Sequence, residues 1–452
     1  MPSAPVTQWT SLTGNAGGRA WRSYQRDPLR EILRLQGEYA DGVDIRRWKR
    51  QMTFVFRPDD VRDVLVRGAD VLSGRDFNLK FQGLQWESLL NMTGETHRDQ
   101  RRLLMPAFRR DSYDRYEQDM DILIAAELRV WQDDSVRDLS ADIHSLTIRL
   151  IGKTLFGVEF SRQDSEWIST RFDKIFAYTS YQSYWRQWPT RLGYPMARGD
   201  FRDALADIQQ FAADLLGTAH SSTEEGGATL GETLCRYVVE GVMSRRMARD
   251  HVIGFLSAGH KTSAHALTWI VFLLARHPAA LATIASELDE TGAQTFTELR
   301  RVTAMDTVIR EGLRLYPPAW AEGRRATADF PVSGGLLRRG DFVMVCQWAT
   351  QRDPAIWGTD SNDFCPTRFE SNGSGSLACQ ENPFAYFPFG AGPHKCIGER
   401  FAWLEMTLIL KHLCRSFVLL PIGMAEVSQD PLIPPRLTNG LHLRVKRRSV
   451  VA

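Results

Sequence analysis

Residues 389–398 read Phe389-Gly390-Ala391-Gly392-Pro393-His394-Lys395-Cys396-Ile397-Gly398, a glycine-punctuated loop with one cysteine that opens into an apolar helix. A cysteine placed there faces free backbone N–H groups and the positive end of the helix dipole. Both favour the thiolate, the form of cysteine that binds metals, so Cys396 has a physical reason to be a ligand. Gly392 and Gly398 supply backbone freedom where a side chain would block a tight turn or the approach of a flat group. Phe389 is placed to shield the sulfur. The plainer alternative is a small buried cysteine in an ordinary loop. Composition argues against it: with 23 Phe, 34 Gly and 6 Cys, the pattern F-x-x-G-x-x-x-C-x-G is expected by chance only about 0.002 times.

The loop resembles the heme-thiolate loop of the cytochrome P-450 family, and other segments match that family in the order it requires. The resemblance implies heme b ligated through its iron by Cys396, with Phe389, Gly390, His394 and Gly398 in the cofactor loop. A thiolate trans to dioxygen pushes electron density into the O–O bond, which suits oxygen activation. Glu311-Gly312-Leu313-Arg314 resembles the family's E-x-x-R element, with both charges on one helical face. Phe364-Cys365-Pro366-Thr367-Arg368-Phe369 resembles the later segment whose arginine joins them. Glu311, Arg314 and Arg368 are thus expected to form a hydrogen-bonded network near the heme, because buried charges must be paired. Residues 94–102 resemble the C-helix motif, which puts His97 and Arg101 at the heme propionates. Arg324 matches the propionate-binding arginine that follows the E-x-x-R helix, and His394 takes a position where the family more often has arginine.

Ala258-Gly259-His260-Lys261-Thr262-Ser263 is similar to the family's A-G-x-D/E-T element, in which a small residue opens the long central helix over the iron. Asp250 is read as the cap of that helix, which runs to about Arg276 before His277-Pro278. The resemblance makes Ala258, Gly259, Lys261 and Thr262 the oxygen-side residues, with the Thr262 hydroxyl steadying bound oxygen and its proton source. Lys261 departs from the pattern, since the family normally has a carboxylate there. An ammonium has three donors and no acceptor and cannot copy a carboxylate in a proton relay. Lys261 is therefore either catalytic or an ion-paired residue beside a sufficient Thr262. His260 is read as a hydrogen-bonded structural histidine.

The family resemblance implies a mainly α fold with a small β region, the heme lying between the central helix and the cysteine-loop helix. One domain over 1–452 with no fused reductase is expected. The net charge of +2 argues against nucleic acid as the main partner, and a hydrophobic content of 43% supports a sizeable core. No stretch has the apolar length of a membrane anchor and the N-terminus does not read as a signal peptide, so a cytoplasmic, monomeric protein is expected. Cys235, Cys346, Cys365, Cys379, Cys396 and Cys414 show no C-x-x-C spacing and are read as reduced thiols. Asp27-Pro28 starts a helix, residues 50–56 and 342–347 read as strands, 301–315 as the E-x-x-R helix, and Ile397, Phe401, Leu404 and Leu408 as its successor's buried stripe.

Substrate contacts are expected from Phe81, Trp86, Phe176 and Tyr181, with Ala258, Ala319, Trp320 and Leu437 further candidates by position. Aromatic walls suit a hydrophobic small molecule. The function implied is a heme-thiolate monooxygenase that activates dioxygen and hydroxylates or otherwise oxidises such a molecule, a secondary metabolite of terpenoid, polyketide or aromatic type. Electrons are expected from a separate donor such as a ferredoxin and its reductase, docking near Arg98, Arg102, Arg109, Arg110 and Lys395. The alternatives left open by Lys261 are an isomerase, a peroxygenase or an oxidative coupling enzyme. A non-catalytic heme protein is a third reading.

Overall fold

The computed structural model describes residues 9–48, 50–74, 87–184, 198–219, 229–370, 380–423, 429–430, 436–437 and 439–448. Its helices that position the site are α1 (Pro28–Glu38), α2 (Gly94–Leu104), α3 (Arg110–Arg129), α4 (Leu139–Phe156), α5 (Arg162–Tyr184), α6 (Arg198–Ala219), α7 (Arg245–Arg276), α8 (Thr303–Leu315) and α9 (Glu399–Ser416). The strands of its two larger sheets are β1 (Thr10–Leu12), β2 (Val43–Arg47), β3 (Arg50–Val55), β4 (Leu72–Ser73), β5 (Ser135–Asp138), β6 (Glu322–Ala326), β7 (Phe342–Val345), β8 (Phe417–Pro421) and β9 (His442–Arg447). One sheet has the order β1-β2-β3-β7-β6-β4 and a second the order β8-β9-β5. The fold is mainly α with this small β region.

Local chemistry sets the helix ends. Asp27 caps α1 by accepting from the Arg30 N–H, with Pro28 in the first turn where its missing donor is not needed. The central helix α7 begins earlier than its sequence indicates. Ser244, not Asp250, is its cap, accepting from the Met247 N–H, and Asp250 lies inside the helix, almost fully buried. Its carboxylate accepts instead from the Glu87 N–H and from Arg249, bringing the chain just ahead of α2 onto α7. With 32 residues, α7 is about 48 Å long and crosses the whole helical core. Its apolar residues from Ala264 to Ala275 are buried, and the helix packs on α4, α6, α8 and α9.

The helix α8 begins at Thr303 and β7 ends at Val345, each within two residues of the pattern-based reading. Phe401, Leu404 and Leu408 form the buried stripe of α9, with Ile397 half-buried ahead of it. A stacked pair, Trp269 of α7 on Tyr316 at 3.9 Å, fixes α7 against the end of α8. Trp320 is fully buried in the smaller core where the first sheet meets α1. Among the described residues no single helix is long and apolar enough to cross a membrane.

Candidate active site

Where α7 passes over the start of α9, the helices and loops leave a cavity of about 390 Å³. The middle of α7 forms one wall with Ala258, Gly259, Lys261, Thr262 and Ser263. The cysteine loop forms the opposite wall with Phe389, Gly390, His394, Cys396 and Gly398. His97 and Arg101 of α2 and Arg324 of β6 close one edge, and Phe176 and Ala319 also line the space. Residues spread over some 300 positions of sequence thus meet at one place. Trp320 and Leu437 do not line the cavity: each is buried in packing, although Ala319 and Ala321 on either side of Trp320 do face it. Phe81 and Trp86 lie outside the described residues, as does the Tyr181 side chain.

Two glycines shape the cysteine loop. Gly392 has φ +68°, and a Cβ there would stand 2.1 Å from the Leu65 carbonyl oxygen, so only glycine fits. Gly390 has φ +70°, and its Cβ would meet a Glu322 carboxylate oxygen at 2.8 Å. Gly398 is different: it is the N-cap of α9 with an ordinary φ of −92°, and no protein atom comes within 4 Å of its added Cβ. Its value is open space on the cavity side rather than backbone freedom.

The Cys396 N–H donates to the Phe389 carbonyl at 2.9 Å, which closes the loop and fixes the cysteine. The side chain is open to the cavity yet ringed by protein, and burial pushes its thiol up to about 11 against the opposing pull of the Gly398 N–H, Arg101 and Lys395. In the metal-free chain burial outweighs the lowering that the sequence predicts, and the helix end opposes it with a single donor. Cys396 sits before the N-cap, so it receives one backbone donor and not the full end of the helix.

At the cavity edge the His97 and His394 rings lie 3.9 Å apart; burial first, then neighbouring arginines, depresses His97 to about 4, and burial, then His97 and the arginines, depresses His394 to about 3. Two neutral imidazoles beside Arg101 and Arg324 make a pocket of donors and positive charge, an environment for anionic oxygens. Arg324 is held by Glu322 at 2.9 Å, and Glu322 accepts from Gln347 at 2.8 Å.

On α7 the Thr262 hydroxyl donates to the Ala258 carbonyl at 2.5 Å. Lys261 is buried and its ammonium bonds the Asp173 carboxylate of α5. A Cβ on Gly259 would meet the Ile151 side chain at 2.8 Å, so glycine also serves the close packing of α4 on α7. His260 does not line the cavity; its Nδ1 lies 2.7 Å from the Leu256 carbonyl, and Phe172 packs on the ring. Glu311 and Arg314 are fully buried, joined by two bonds of 2.7 and 2.8 Å. Arg314 also donates to the Gln351, Ser361 and Asp363 carbonyls, and Arg368 approaches Glu311 at 3.5 Å while bonding the Trp357 and Asp360 carbonyls.

Several site residues carry no motif. Phe108 and Phe255 stack at 5.4 Å on the cavity wall. Phe255 and Ser263 stand one helical turn on either side of Gly259, so their spacing in α7 was readable. Glu405 of α9, behind the cavity lining, was not: its carboxyl is fully buried, and burial pushes it up to about 8 although the Ser263 hydroxyl holds it down somewhat.

The cytochrome P-450 sequence model matches residues 8–439. The chain belongs to the cytochrome P-450 family. Among its relatives are pentalenene oxygenase of Streptomyces avermitilis, 28% identical over 96% of this chain and 99% of the relative. Cyclooctatin synthase of Streptomyces melanosporofaciens is 29% identical over 90% of this chain and 88% of the relative. Cyclooctat-9-en-7-ol 5-monooxygenase of the same organism is 28% identical over 92% and 91%. As a cytochrome P-450 the protein is a monooxygenase-type oxidoreductase, and the family implies a heme-iron cofactor, dioxygen and a redox partner.

Proposed function

We propose that the chain binds heme b through Cys396 and oxidises a hydrophobic small molecule of terpenoid type, with electrons from a separate ferredoxin-type donor. The observation that supports it most is the convergence of Cys396, the His97–Arg101–Arg324–His394 pocket and Thr262 on one cavity with apolar and aromatic walls. A flat dianionic porphyrin fits these residues: the cysteine supplies a metal ligand, the open face at Gly398 leaves room, and the donor pocket suits two propionates. Bound heme would supply dioxygen activation, its thiolate ligand favouring O–O cleavage.

The chain's own residues do the rest. The Cys396 thiol gives up its proton on binding metal, and Arg101 and Lys395 favour the anion that remains. Phe389 lines the cavity with the cysteine and accepts its N–H, and Gly390 and Gly392 let the loop approach Glu322 and Leu65 closely. Ala258 and Gly259 keep the α7 wall thin, and Thr262 presents a hydroxyl to the cavity. Phe176, Phe108 and Phe255 offer apolar surface to a substrate. The terpenoid class rests on the names of the three relatives, and the whole chain acts as one cytoplasmic heme domain. The docking reading for Arg98, Arg102 and Lys395 meets competition, since each pairs with an acidic neighbour: Asp70, Asp99 and Glu399.

The test is the absorption spectrum of the reduced protein with carbon monoxide, followed by a spectral screen of terpene hydrocarbons. Cys396→Ala should abolish the thiolate band and turnover. An unchanged spectrum and metal content in that variant would sink the assignment. The Lys261–Asp173 pair in place of a carboxylate on α7 keeps one second reading, a peroxygenase: product formed with hydrogen peroxide but not with reductant and dioxygen would favour it.

A further inference from the structure

An oxygenase needs protons delivered from solvent to the oxygen side of its cavity, and Lys261, next to Thr262, offers donors but no acceptor. Asp173 of α5 supplies the missing group. The pair spans the wall: the Asp173 side chain is 49% exposed, whereas Lys261 is 6% exposed and lines the cavity. Neighbouring residues seat α5 at this point, with Phe172 packed on His260 at 5.5 Å and Phe176 in the cavity wall. An ammonium with so little water needs its counter-charge, so Lys261 in turn fixes where the carboxylate stands.

We propose that Asp173, oriented by Lys261, is the solvent-side carboxylate of the proton supply to Thr262, carried on the roof helix α5 instead of on α7. The inference rests on the monooxygenase reading above. A turnover combines substrate, dioxygen, two electrons from the separate reductant and two protons, and yields oxidised product and one water. For each proton, bulk water gives one up at Asp173, Lys261 releases one to cavity water leading to Thr262, and Lys261 recovers one from the Asp173 side. Neither residue changes charge over a cycle. Neither touches the reacting atoms: both pass protons on to Thr262 through water.

Dioxygen itself serves as the probe: without organic substrate the same two electrons and two protons reduce it to hydrogen peroxide, so the substrate need not be known. Oxygen consumption by the heme-loaded full chain is driven by a surrogate ferredoxin and reductase, in light and heavy water. Asp173→Asn should slow consumption on the order of ten-fold and enlarge the solvent isotope effect. It should also lower the melting temperature, with or without heme, because the buried ammonium loses this carboxylate. The neutral pair Asp173→Asn with Lys261→Met should recover the melting temperature but not the oxygen rate. The exchanged pair Asp173→Lys with Lys261→Asp should recover both. A neutral pair that consumes oxygen at the wild-type rate with an unchanged isotope effect would reduce the contact to a mere fastening and overturn the proposal. Absence of the thiolate carbon monoxide band in the unaltered protein would instead count against the oxygenase reading beneath it.

Discussion

At the scale of single residues, burial decides more than identity. His97, His394 and Glu405 keep their neutral forms because the protein around them disfavours charge, and the metal-free Cys396 thiol is pushed the same way. Glu405 gives a direct pH test. Its folded value of about 8 lies above the ordinary 4.5, so between those values the folded chain holds a proton that the unfolded chain has released. Stability contributed by that carboxyl is intact at low pH and is lost as pH rises through the window. Glu405→Gln, neutral at every pH, should therefore melt progressively higher relative to the parent chain as pH is raised from 5 to 9. A constant difference in melting temperature across that range would mean that Glu405 is ionised inside the folded protein. Only the packing of α9 against α7 closes water off from this carboxyl.

At the scale of elements, the cysteine loop separates two uses of glycine that look alike in sequence. Gly392 is held at positive φ against the Leu65 carbonyl, whereas Gly398 has an ordinary backbone and empty space beside it. Gly392→Ala should cost about 1–3 kcal/mol in denaturant unfolding of the heme-free chain, the range for a strained backbone position. Gly398→Ala should leave that stability nearly unchanged while lowering heme content after reconstitution. The loop, α9 and the E-x-x-R helix were all legible, because each is specified by residues close together in sequence. The start of α7 was not: Ser244 and Asp250 are both good caps locally, and the choice fell to Ser244 because Asp250 is drawn inside by the Glu87 N–H.

At the scale of the molecule, the Glu311–Arg314 pair ties α8 to the 351–368 segment that leads to the cysteine loop. Its charges are tolerable only because Arg314 reaches three carbonyls as well as Glu311, and the Glu311 carboxylate also accepts from the Cys365 N–H at 2.9 Å. Arg314→Leu leaves the glutamate buried without its main partner and should destabilise the fold by about 3–5 kcal/mol, read by denaturant unfolding alongside loss of heme uptake. Glu311→Gln with Arg314→Leu should be milder than the arginine change alone. Equal losses would show that the damage comes from packing rather than from the stranded charge.

The sequence alone pointed to the family, the cysteine loop, the histidines and arginines of the cavity edge, Thr262 and the charged network, because each is written in a short motif whose spacing follows helix or loop geometry. Tertiary structure decided what stands across from those motifs. It turned Phe255 and Phe108 into a cavity wall, withdrew Trp320 and Leu437 into packing, buried Glu405 behind Ser263, and matched Lys261 with an aspartate 88 positions earlier. Such partners come from segments far apart in the chain, and no local period encodes them. Their charges and shapes acquire meaning only when the helices pack and exclude water.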